Sequence, residues 1–158
     1  HIHIFPQVIS ANSHIGHNDI RISKEIESIF IKMGFGDRVK YHYSDLNPMQ
    51  LRNLYGKMDL FLGTRLHSVI FALSMNVPSI NIAYHGTKSQ GILASIEGFK
   101  DRVISIDNIY PEILIKQLND LYNERTKLIN ILKEENISIK IKLKEAMETL
   151  ISSYKNSL

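Results

Sequence analysis

The chain has 158 residues, 44% of them hydrophobic, enough for one ordinary globular core. Its formal charge is only +3 and no basic cluster dominates any stretch, which argues against a nucleic-acid partner. Cysteine is absent, so disulfides, thiol catalysis and cysteine-ligated zinc are excluded, and no apolar run reaches the length of a membrane span.

Ile2, Ile4, Phe5, Val8 and Ile9 mark a first strand, interrupted by Pro6. A polar loop follows over 11–19. His14, His17 and Asp19 are metal-ligand residue types, but no further cluster joins them, and loops collect such residues. Gln7, near the strand end, is a marginal candidate for a cleft-facing side chain. Ser23 is placed to cap a helix with Glu25 and Glu27 in its first turn. Ile26, Ile29, Phe30 and Met33 have helical spacing and predict its buried side, and Gly34 its stop. Val39, Tyr41 and Tyr43 alternate with Lys40 and His42, as in a half-buried strand. Asn47, Pro48 and Gln50 form a helix-start signal ahead of Met49, Leu51, Leu54 and Met58.

Asp59 to Leu73 is the stretch around which the rest is organised. Leu60, Phe61 and Leu62 predict a short buried strand, and Gly63 a turn or a close backbone approach. From Val69 onward, Val69, Ile70, Ala72 and Leu73 predict a buried helix. Arg65 and His67 therefore fall in the turn, with His67 and Ser68 near the first unpaired N–H groups of that helix. Such a helix start attracts anions. Arg65 adds a planar cation that grips a carboxylate or phosphate with paired hydrogen bonds, and His67 a proton donor or acceptor near neutral pH. Taken singly, Arg65 reads as well as a surface cation and His67 as a capping side chain. Together, within six residues of an apolar strand, they predict an anion site with an acid beside it.

Pro78 opens another strand through Ile80, Ile82 and Ala83. Tyr84 to Gly91 is a second polar turn leading into a helix with Ile92, Leu93 and Ile96; its glycine spacing is not that of a Walker A loop. Lys88 reads either as a solvated lysine or as a second cation reaching an anion at the neighbouring turn. Val103, Ile104 and Ile106 predict a last strand, and Pro111 a helix through Ile115, Leu118 and Leu121. From Thr126 to Tyr154, Leu128, Leu132, Ile139, Leu143, Met147, Leu150 and Tyr154 recur at three- and four-residue steps. One or two amphipathic helices follow from that spacing, predicted to pack Leu132, Ile139, Leu143 and Met147 against protein. A coiled-coil or partner-binding tail is the alternative.

Repeated alternation of strand and helix predicts an α/β fold: one Rossmann-like parallel sheet with helices on both faces. Ligands of such sheets bind beyond the carboxyl ends of the strands. The loops over 11–19, 63–68 and 84–91 each follow a strand, so they are expected on that edge.

Gly63-Thr64-Arg65-Leu66-His67-Ser68, followed by Phe71-Ala72-Leu73, Asn76-Val77-Pro78-Ser79 and Tyr84 with Lys88, resembles the polysaccharide pyruvyl transferases. The resemblance runs through residues 1–105 and is densest from Asp59 to Gly91. It implies the C-terminal, donor-side half of a two-domain GT-B fold. Residues 1–125 would form the Rossmann-like domain and 126–158 an amphipathic helical tail, with a further N-terminal domain upstream of a chain that opens on His1. It also implies transfer of a pyruvyl group from phosphoenolpyruvate to a sugar of a cell-surface polysaccharide or its lipid-linked precursor, forming a ketal. No cofactor and no metal are implied, and the location implied is cytoplasmic, at the inner membrane face for a lipid-linked acceptor. On this resemblance Arg65 and His67 are the expected catalytic residues. Gly63, Thr64, Leu66, Ser68, Tyr84 and Lys88 are the expected substrate-binding residues. This half is expected to fold alone without turning over substrate.

Two rivals share parts of the pattern. One is the C-terminal half of a GT-B glycosyltransferase using a nucleotide sugar, for which Glu97 and Asp101 are the candidates to grip a ribose. The other is a non-catalytic binding module working through its tail.

Overall fold

In the computed structural model, which describes residues 1–9, 19–42, 46–84 and 87–155, the chain forms two units, His1–Pro48 and Met49–Leu158. In the first, β1 (Ile2–Ile4) and β2 (Val39–Tyr41) pair in parallel, with Ile2 opposite Val39 and Ile4 opposite Tyr41. The first strand is shorter than the apolar run to Ile9. Pro6 has no N–H for a ladder, and the N–H groups of Gln7 and Val8 donate instead to the Asp19 carboxylate, at 3.1 and 2.9 Å.

Asp19 also opens α1 (Asp19–Lys32), more than a turn before the start that Ser23 signals. Ser23 is a buried residue within the helix, not its cap, while Ile26, Ile29 and Met33, the predicted core side, are exposed. Glu27 lies toward β2: burial first, and then the Glu27 charge, hold the Tyr41 phenol above its usual pKa. Gly34, at φ 82°, supplies the predicted stop. The loop positions His14 and His17, and Tyr43, lie outside the described residues.

In the second unit, β3 (Phe61–Gly63), β4 (Ser79–Ala83) and β5 (Val103–Ser105) form a parallel sheet in the order β3-β4-β5. Among the described residues the strands thus make two parallel sheets, one per unit, where the sequence predicts a single sheet. Alternation of strand and helix specifies parallel pairing, but it does not say which strands are neighbours. α2 (Pro48–Tyr55) begins on its proline as predicted and ends on Tyr55, which is fully buried against Phe61 with ring centroids 4.6 Å apart. α3 (Leu66–Ser74) buries Val69, Ala72 and Leu73, as its sequence predicts. α4 (Lys88–Ala94) follows β4.

α5 (Pro111–Lys155) is one helix of 45 residues where the sequence predicts two or three; at its rise per residue it is about 68 Å long. Leu121, Leu128 and Leu132 are its buried residues. Gly98, at φ 80°, lets it approach closely: a Cβ there would stand 2.8 Å from Leu128 Cδ2. Arg102, itself buried, donates to Gln117 Oε1 at 2.8 Å and pairs with Glu124 Oε2 at 2.7 Å. Asn136 Nδ2 donates to Leu73 O at 3.0 Å and to Asn76 Oδ1 at 2.9 Å. Every residue from Ile139 to Lys155 is exposed, so Ile139, Leu143 and Met147 are not covered by this chain's own residues. The helix has by then run past the layer that covers Leu128 and Leu132. No helix among the described residues is long and apolar enough to cross a membrane.

Candidate functional site

The turn from β3 to α3 is built around Gly63. A Cβ there would lie 2.6 Å from Val69 Cγ2 and 2.8 Å from Phe61 Cε1, so any larger residue pushes α3 away from its strand. Arg65 stands at the N-cap of α3 with an extended backbone, φ −102° and ψ 123°, and no side-chain cap bond. Its carbonyl is fixed by three donors: Ser68 Oγ at 2.6 Å, Ser68 N at 3.1 Å and Val69 N at 3.3 Å. The residue carrying the guanidinium is therefore held by its backbone, and the side chain stays part-exposed. Leu66 and His67 head the helix, where N–H groups have no intrahelical acceptor. Thr64 and His67 are exposed, Leu66 is half-buried, and Ser68 is buried, its hydroxyl committed to the turn.

Parallel register brings a second turn to the same edge. Gly63 lies opposite Asn81, so the carboxyl ends of β3 and β4 are neighbours. Tyr84, just past β4, and Lys88, the first residue of α4, are both exposed. Thr64 to His67, and Tyr84 and Lys88, therefore stand at one sheet edge. Glu97 and Asp101 do not: they lie on the connection that enters β5 at its amino end, the opposite edge.

Asn81 is the residue that sequence reasoning missed. It is buried to 1% exposure and its Nδ2 donates to Gly63 O at 2.9 Å, tying β4 to the turn. Its Oδ1 finds no hydrogen-bond partner among the described residues. The signal was a polar side chain inside the apolar strand Ser79 to Ala83, since a buried amide is kept only where it has bonds to make. Asn81→Ala is expected to lower stability by about 1–3 kcal/mol, because Gly63 O loses its buried donor. Chemical denaturation checks this; an unchanged midpoint would mean the bond contributes nothing.

The first unit carries its own polar cluster. His3 Nδ1 and His42 Nε2 are 2.9 Å apart, and Phe5 stacks on His42 with ring centroids 4.3 Å apart. Burial, then the charges of His3 and Lys40, push the His42 pKa below its usual value. A base with a lowered folded pKa binds fewer protons when folded, so its contribution is complete above the ordinary histidine pKa and is lost as pH falls below it. The melting temperature should accordingly drop on going from pH 8 to pH 5, and His42→Gln should flatten that dependence. A His42→Gln profile parallel to the parent's would remove the histidine pair as the cause. Among the described residues no three of His, Asp and Glu gather as a metal-holding group, and the Asp19 carboxylate is bonded to the backbone of Gln7 and Val8.

No solved structure gives a significant match to this chain. The sequence profile of the polysaccharide pyruvyl transferases matches residues 1–86, a shorter span than the motif resemblance through residue 105. Arg65, His67 and Tyr84 fall inside it and Lys88 two residues beyond it. With 86 of 158 residues matched, among them the whole turn from β3 to α3, the chain belongs to the polysaccharide pyruvyl transferase family.

Proposed function

We propose that this chain holds the donor of a reaction that moves the pyruvyl group of phosphoenolpyruvate onto two hydroxyls of a sugar, as a ketal, with release of phosphate. The observation that carries the reading is the parallel register of β3 and β4, which brings the starts of α3 and α4, with Arg65, His67 and Lys88, to one sheet edge. Phosphoenolpyruvate carries a carboxylate and a phosphate. A planar guanidinium at a helix start, with a lysine from the adjoining turn, suits that pair of anions. Tyr84 and the backbone of Gly63 to Ser68 would form the rest of the donor seat.

The chemistry asks for one acid. A proton added to the methylene carbon makes the central carbon electrophilic. One sugar hydroxyl then adds there, the carbon–oxygen bond to phosphate breaks, and the second hydroxyl closes the ketal. The hydroxyls give up two protons: one balances the proton gained by the methyl group and one leaves with phosphate. His67 is exposed on the first turn of α3 and suits either the methylene protonation or the protonation of departing phosphate. The scheme uses no resident metal or cofactor. The acceptor seat and the base for its hydroxyls belong, in this reading, to a second domain of a GT-B arrangement, so this half alone does not turn over.

Calorimetric titration with phosphoenolpyruvate and, separately, with nucleotide sugars tests the proposal. Saturable binding of phosphoenolpyruvate that inorganic phosphate weakly displaces is expected. Binding of a nucleotide sugar in its place would make the chain a glycosyltransferase half, against which the placement of Glu97 and Asp101 on the far edge already counts. Binding of neither would leave a non-catalytic module.

A further inference from the structure

α1 carries an apolar stripe that its own unit does not cover. Ile22, Ile26 and Ile29 on the helix, and Met33 in the turn just past its end, are 51%, 38%, 55% and 61% exposed. They recur at steps of four, three and four residues, the spacing of a helix-pairing seam. One side of the stripe is the face of Ser23 and Phe30, which turns toward the interior of the unit. The other side is charged, with Glu25 and Lys32 seven residues apart on a line parallel to the seam. This flank is an open groove of about 490 Å³ lined by Arg21, Lys24, Glu25, Ser28, Ile29 and Lys32. A carboxylate among cations makes it a poor seat for a small anion and a good match for a surface that also mixes both signs.

We propose that the occupant is a second copy of this chain, lying antiparallel on α1 about a two-fold axis. In that arrangement Ile26 lies across from Ile29 of the second copy, and Ile22 across from its Met33. Glu25 then comes beside Lys32 of the second copy, and by symmetry the same pair forms again on the other side of the axis. A parallel arrangement offers no such match, because it turns the charged flank of one copy toward the Ser23 and Phe30 side of the other. Among the described residues Glu25 pairs with Arg21, at 3.8 Å between exposed side chains, a contact too weak to compete. Four apolar side chains per copy make a small interface, so the association belongs to the weak, transient class.

Sedimentation equilibrium on this chain, over roughly 0.02 to 1 mM, tests the proposal. A monomer–dimer equilibrium is expected, with nothing larger arising from this surface. Glu25→Lys alone and Lys32→Glu alone should each weaken it at least about fivefold, since each sets like charges together twice. The double exchange should restore it to within about twofold. Ile26→Asp should abolish it, and helical content by circular dichroism should be unchanged in all four proteins. If Ile26→Asp unfolds, the charge series still decides. A chain that stays monomeric throughout overturns the proposal and leaves the stripe for another protein or another segment. Association that ignores the Glu25 and Lys32 changes overturns it as well, and assigns dimerisation elsewhere, the exposed end of α5 being the first place to look.

Discussion

Leu132→Ala should lower the stability of the chain by about 2–5 kcal/mol, while Leu143→Ala, in the same helix and on the same stripe, should change it by less than about 0.5 kcal/mol. Leu128 and Leu132 are almost completely buried, and removing three carbons there opens a cavity that rigid neighbours cannot fill. Leu143 lies beyond Asn136, in the part of α5 whose side chains face solvent. Denaturant unfolding of the two variants, followed by helical signal and by near-ultraviolet signal, measures both numbers. Equal losses would mean that the end of α5 is packed after all. The same contrast sets what truncation should do. A chain ending after Asn136 should keep its melting temperature, and one ending before Leu128 should not fold to the same stability.

His67→Ala and Arg65→Lys should fail in different ways in enzyme that turns over. Proton transfer by a placed side chain contributes on the order of a hundredfold to ten-thousandfold, so His67→Ala should lower turnover by that range with phosphoenolpyruvate affinity nearly unchanged. Arg65→Lys keeps the charge and loses the planar fork, so it should raise the dissociation constant for phosphoenolpyruvate. Both variants should stay folded, since neither side chain is buried. Phosphate release and calorimetry separate the two effects. Full turnover in His67→Ala would reduce that residue to a helix-start side chain.

The turn at Gly63 was legible in the sequence because several independent signals coincide there: an apolar strand, a glycine that sterics require, and a buried helix that starts three residues later. Helix α1 was not, because its start depends on Asp19 bonding backward to Gln7 and Val8, and a residue doing that looks in sequence like any loop aspartate. Nor does helical spacing say which face turns inward: here Ser23 does, while Ile26 and Ile29 stay exposed. How far α5 is covered by its own domain was not legible either, for a different reason. Periodic leucines report that a helix has an apolar face, but not how far its own domain extends beneath it, and here cover ends near Asn136. Asn81 was passed over because one polar residue in an apolar strand disturbs the pattern little, although burial makes its single bond to Gly63 O consequential.

The turn joining β3 to α3 is the proposed phosphoenolpyruvate seat. Backbone amide spectra recorded during a phosphoenolpyruvate titration test it residue by residue. The largest shifts should fall on Leu66, His67 and Ser68, with smaller ones at Tyr84 and Lys88, and Arg65→Lys should suppress the whole set. Shifts confined to other elements, or shifts at the turn that survive Arg65→Lys undiminished, would contradict it.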